Sequence, residues 1–223
     1  MSITMIAATL LAATTAVKAP ADKASAVEEE PPSGGYVRVG GEGCLALVDC
    51  CKADVNVISQ SVDRISNSMM IHVKNQKGTW SLPTAAADLK AQKATAAVFV
   101  VKDKSLPMSL VAMESRWGVV NAEGLTVDQL AKEIVRVSVV VLGGATSKYE
   151  ASYMRPVFSP ADLDKAGSGF TIDTIMAVFP NLPDHGIKQF RTMTFRDACE
   201  EGIVLEPKDD VQRKIAAEYK KQK

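Results

Sequence analysis

The chain predicts an α+β fold, an α/β sandwich whose mixed, mostly parallel sheet carries an antiparallel edge hairpin and packs on helices. Three observations lead there. Helical and β-like patterns alternate from Tyr36 onward, the order that layered architectures require. AAVFVV, Ala96 to Val101, is an unbroken apolar run of the kind buried on both faces of a sheet. Farther on, SLVAM and WGVVN are separated only by the charged turn Glu114-Ser115-Arg116, a hairpin signature.

The first elements read as export and linker signals. MSITMIAATLLAATTAVKAP has an apolar, small-residue run from Ile3 to Ala13 and Val-Lys-Ala before Pro20, although its first basic residue is Lys18, after that run. The run falls short of the ~20 apolar residues that span a bilayer. Residues 1–19 are therefore expected to be a cleaved signal peptide, which makes the mature protein periplasmic or secreted, with no stable membrane insertion. A frayed amphipathic N-terminus is the alternative. Residues 20–35, PADKASAVEEEPPSGG, lack an apolar period and read as a disordered linker, leaving 36–223 as one domain with a C-terminal helical extension.

Within that domain, YVRV and CLALV are two β-like runs around Gly40-Gly41-Glu42-Gly43, read as a hairpin rather than a dinucleotide fingerprint. Asp54 to Ser68 sets Val55, Ile58, Val62 and Ile65 on one helical face. Met69 to Val73 reads as a strand closed by turn residues Asn75 to Gly78, and Thr84 to Gln92 as a weaker helix. Beyond the hairpin, Met154 to Asp164 is extended with a turn or short helix at its end. Thr171 to Phe179 is a short helix with Ile172, Ile175 and Met176 inward, and Asp209 to Lys223 is a charged helix docking through Val211, Ile215 and Tyr219.

KEIVRVSVVVL, Lys132 to Leu142, is ambiguous in isolation, because Val135, Val137, Val139 and Val141 alternate as in a strand. The flanks favour a helix. Thr126 with Gln129 three residues later forms a capping box, Leu130, Ile134, Val137 and Val141 follow at helical steps, and Gly143-Gly144 supplies a stop. One buried helix from Val127 to Leu142 is expected. Its β-branched residues each cost about 0.5 kcal/mol relative to Ala, which burial overrides.

This element order, with a helix here and a methionine turn after it, resembles the metzincin-type metallopeptidases, more narrowly the archaemetzincin-like branch, and implies a zincin-like fold. The family motif H-E-x-x-H-x-x-G-x-x-H places Lys132 and Arg136 where the first two histidines stand, Glu133 at the catalytic glutamate, Val139 at the glycine and Leu142 at the third histidine. Ser152-Tyr153-Met154 resembles the C-x-M that follows, displaced from the strict family spacing, which falls on Glu150; Ile172 and Ile175 occupy the later cysteine pair. The resemblance therefore implies a degenerate homologue lacking the zinc ligands, with no metal and no other cofactor.

Elementary chemistry points the same way. A hydrolytic zinc needs about three protein ligands and an open water position, whereas the chain has two histidines, His72 and His185. Lys132 and Arg136, four residues apart, share a helix face and set two cations where a dication would sit. Glu133 is then expected to serve as an i, i+3 partner of Arg136 on the helix surface. No nucleophile elbow, phosphate loop or calcium loop occurs. Cys44, Cys50, Cys51 and Cys199 permit disulfides in an exported protein, their connectivity left open. With 26 basic and 26 acidic residues, no net field recruits nucleic acid. The functional expectation is an exported, non-catalytic metallopeptidase-like domain that binds or scaffolds an unidentified protein or peptide. The alternatives are a hydrolase with an unrecognised site involving Glu133 and His72 or His185, and a structural envelope-associated domain.

Overall fold

The structure is a computed structural model that describes residues 32–80 and 96–220. The expected signal peptide, most of the linker, the helix at Thr84 to Gln92 and residues 221–223 lie outside the described residues. Among the described residues no helix is long and apolar enough to cross a membrane.

In chain order the elements are β1 Tyr36–Glu42, β2 Leu45–Asp49, α1 Val55–Met69, β3 Val73–Lys77, β4 Ala96–Val101, β5 Ser109–Ala112 and β6 Trp117–Asn121. Then follow α2 Val127–Val141, α3 Pro160–Lys165, α4 Ile172–Val178, a 3-10 turn Phe179–Asn181, β7 Lys188–Thr194, α5 Phe195–Glu200 and α6 Asp210–Lys220. Five strands form one sheet in the order β3-β2-β4-β6-β5. Its first three pairings are parallel and the last, β5 on β6, is antiparallel. The mixed sheet with an antiparallel edge hairpin is thus present.

The pleat sorts the core. Leu45, Leu47, Ala96, Val98, Val100 and Val120 pack with α1 and α2 on one face, while the alternate residues Ala46, Val48, Ala97, Phe99, Val101 and Val119 form a second cluster with Trp80 and Trp117. β4 is buried along its whole length, as its apolar run requires. Burying each such side chain contributes about 1.5–3 kcal/mol, enough to outweigh the poor helix propensity of the valines in α2.

Several local expectations are corrected. YVRV and CLALV do not form a hairpin: β2 has β3 on one edge and β4 on the other, so no edge is left for β1. β1 instead pairs antiparallel with β7, from Tyr36↔Thr194 to Glu42↔Lys188. The glycines serve close approach as well as turning, since a Cβ on Gly43 would meet the Gly186 carbonyl oxygen at 2.3 Å. α1 runs through Met69 and ends at Met70 in the left-handed region (φ 55°). Met69 and Ile71 are buried, so the apolar run reflects the helix end and core, and the strand lies farther on at Val73–Lys77. Parallel pairing with β2 overrides the polar composition of β3, which as an edge strand tolerates charge.

The short helices are rotated relative to their expected faces. Ile172 and Met176 are exposed, whereas Thr174 and Val178 are buried. On α6, Ile215 is buried beside Gln212 rather than Val211, because the Gln212 amide donates to the Gly34 carbonyl at 2.8 Å. Ser33 and Gly35 are likewise bonded to α5, their carbonyls accepting from Arg196 and Phe195. None of the four cysteines is joined in a disulfide. Cys44 and the pair Cys50-Cys51 flank opposite ends of β2, roughly 20 Å apart at the usual strand rise, far beyond disulfide reach. Burial pushes the thiols of Cys44, Cys51 and Cys199 up from their ordinary range.

Candidate functional site

α2 is the centre of the candidate site, and its start is fixed by the capping box. Gln129 N–H donates to the Thr126 hydroxyl at 3.3 Å, and Thr126 N–H donates to the Gln129 side-chain oxygen at 2.9 Å. The Gln129 amide also donates to the Pro160 carbonyl and to the Asp164 carboxylate, which seats α3 on the first half of α2. The second half lies against the hairpin. A Cβ on Gly118 of β6 would stand 2.6 Å from Cγ1 of Val137 and 3.0 Å from Cγ2 of Val141, so the missing side chain lets helix and strand meet.

Lys132 and Arg136 do not act together. The Lys132 ammonium turns toward α3, donating to the Leu163 carbonyl at 3.0 Å and pairing with Asp128 at 2.9 Å. Arg136 turns toward β5. Its Nε donates to Glu133 Oε2 at 2.7 Å, its Nη2 donates to Glu133 Oε1, and Nη2 also donates to the Ser109 hydroxyl at 3.1 Å. The i, i+3 pairing expected from sequence is formed, but not on the helix surface. The Glu133 side chain is 0% exposed and that of Arg136 14%.

Register explains why Ser109 is the residue Arg136 meets. Ser109 pairs with Val120 and Val111 with Gly118. Val120 belongs to the helix-side core, so Ser109 faces α2 as well. Opposite Met108, the residue before Ser109, Asn121 is a fully used hub. Its amide donates to the carbonyls of Asp103 (2.7 Å) and Leu106 (2.9 Å), and its side-chain oxygen accepts from Asp103 N–H and Glu123 N–H, both at 3.1 Å. Neither Ser109 nor Asn121 was singled out from sequence. The only signal for Asn121 is a polar residue closing the apolar strand WGVVN.

The other residues matched in the sequence resemblance lie mostly in or beside the core. Leu142 and Met154 are 0% exposed and share the main core with Val139. The turn holding Met154 is pinned by backbone bonds, Ser147 N–H to Met154 O at 2.7 Å and Tyr153 N–H to Gly169 O at 2.8 Å, and by Met154 N–H to the Ser152 hydroxyl at 3.0 Å. Ile175 packs at the core margin and Ile172 faces solvent. The histidines lie elsewhere: His72 packs on Phe190 with Nε2 3.2 Å from the Gly40 carbonyl, and His185 sits in the loop before β7. Burial, with the nearby charge of Arg116, pulls the His185 pKa down against the opposing effect of Asp184.

No family model matches the chain, and no curated protein sequence does. Solved structures do. Archaemetzincin from Methanopyrus kandleri superposes with a TM-score of 0.52 at 13% identity, over 64% of this chain and 96% of that one. The fold is archaemetzincin-like. A zinc-dependent peptidase from Methanocorpusculum labreanum matches with a TM-score of 0.50 at 10% identity, over 60% of this chain and 99% of that one. At these identities the likeness is one of fold alone.

A zinc site implied by that fold can be tested against the residues present. Among the described residues no three His, Cys, Asp or Glu side chains converge to hold a metal ion. At the positions where the sequence resemblance would set the three histidines stand the ammonium of Lys132, the guanidinium of Arg136 and Leu142, none of which is a zinc donor at neutral pH. Glu133, the one acid there, spends both oxygens on Arg136. These residues do not fit zinc.

Proposed function

We propose that this chain is a non-catalytic metallopeptidase-like domain that is exported and binds an extended protein or peptide segment along β5. The carrying observation is the complete burial of Glu133 in a two-pronged pair with Arg136. A general base must reach the water or substrate proton it removes, and this carboxylate has neither solvent access nor a spare oxygen. What the scaffold retains is an edge. Among the described residues β5 is the last strand of its sheet, and Leu110, Val111 and Met113 are exposed along or just beyond it. Such an edge supports strand addition, main-chain bonds giving affinity and alternate side chains giving selectivity.

The test is metal analysis of the purified protein together with a casein digestion assay. The proposal expects no stoichiometric zinc and no chelator-sensitive cleavage; stoichiometric zinc with such cleavage overturns it. For export, the mature protein recovered from outside the cytoplasm is expected to begin at Pro20. Recovery of intact Met1 from the cytoplasm contradicts that part.

A further inference from the structure

We infer that Arg136 works as a fixed cross-link between α2 and the edge strand, a positioning residue at a motif position where the resembled family carries a metal ligand. The disagreement between this helix and zinc then has a structural content. Where an ion would bind side chains to one centre, the chain Glu133–Arg136–Ser109 joins helix to hairpin through protein groups alone.

The geometry carries the inference. Glu133 accepts from both Nε and Nη2 of Arg136, and a planar guanidinium held by two parallel bonds keeps one orientation. The remaining Nη2 hydrogen is thereby aimed at the Ser109 hydroxyl, 3.1 Å away. Ser109 is the first residue of a four-residue strand that, among the described residues, has a strand neighbour on one side only. Directly before it, Met108 O accepts from Asn121 N–H at 2.9 Å, and the Asn121 side chain fixes the approach loop at Asp103 and Leu106. The start of β5 is thus held from below by Arg136 and from the side by Asn121, while its far end passes into the exposed turn at Met113. Charge alone does not make the link. A Lys at 136 keeps the cation but lacks the rigid fork that serves Glu133 and Ser109 together.

Only the ligand arm of this inference rests on the proposed function; the positioning of β5 is measured in the free protein. Hydrogen exchange of the Leu110 and Ala112 amides, the ones in β5 whose register turns their N–H toward β6, is compared between wild type, Ser109→Ala and Arg136→Lys. A bond to a charged donor is expected to be worth roughly tenfold or more in local opening, so these amides should exchange about tenfold faster in both variants, while those of β3, at the opposite edge of the sheet, which open locally with the bond intact, stay at their wild-type rates. Unchanged rates at these two amides in Ser109→Ala overturn the inference, as does an equal acceleration at β3, whose local opening leaves the bond in place. Ser109→Ala removes one oxygen and no charge, so it decides the matter even where Arg136→Lys folds poorly. If β5 loosens as expected and no extended peptide binds wild type, the cross-link stands and the binding proposal falls.

Discussion

Two ion pairs in this molecule have the same chemistry and opposite surroundings. Arg136 and Glu133, 14% and 0% exposed, lie under the β5–β6 hairpin; Arg191 and Glu201, 62% and 44% exposed, link β7 of the two-stranded layer to the end of α5. Both are two-pronged. What differs is the cost of losing a partner. Under the hairpin the survivor is a desolvated charge, whereas on the outer layer it returns to water. The buried pair is therefore a constraint on the fold and the exposed one a decoration of it.

The largest expected effect comes from breaking the buried pair. Arg136→Met leaves the Glu133 carboxylate without a counter-charge, and denaturant unfolding should show a loss of about 3–5 kcal/mol. Next is the contact that encloses the pair. Gly118→Val forces atoms into the space held by Val137 and Val141 and should cost at least about 1–3 kcal/mol by the same measurement. Arg191→Ala, by contrast, should change stability by less than about 1 kcal/mol. A loss comparable to that of Arg136→Met would erase the distinction between the two layers.

His185 sits between these extremes, part-buried, with Nδ1 lacking a hydrogen-bond partner. Its folded pKa is depressed chiefly by burial. The unfolded chain therefore binds the proton more readily, so the His185 contribution is present above the unfolded value and is lost as pH falls through the folded one. An NMR titration should place its midpoint below the ordinary histidine range; a midpoint at or above that range contradicts the burial of the ring.

The same contrast separates what was legible in sequence from what was not. α2 was readable because its evidence is local: a capping box within four residues, apolar steps of one helical face, and a glycine pair after it. The Glu133–Arg136 pairing was readable for the same reason, from spacing alone. Its burial was not, because that depends on Gly118 admitting the helix against a hairpin and on the register that turns Ser109 inward. The partner of β1 was equally hidden. Nothing near Tyr36 announces a strand at Thr194, and the glycines beside it imitate a tight hairpin. The rotated faces of α4 and α6 failed for a related reason, since short helices carry too few apolar residues to define one stripe. The zincin-like order of elements survived all of these local errors because it rests on the central strands and α2, where pattern and burial agree.

The central claim is that the one acid at the motif positions of α2 is committed to Arg136. A double-mutant cycle with Glu133→Leu and Arg136→Met, read by denaturant unfolding, tests it directly. The account predicts a coupling at least as large as the loss in either single variant, about 3–5 kcal/mol, so that the double variant is at least as stable as either single one. Effects that add to within about 0.5 kcal/mol would contradict it, leaving Glu133 without the partner on which this reading of the site depends.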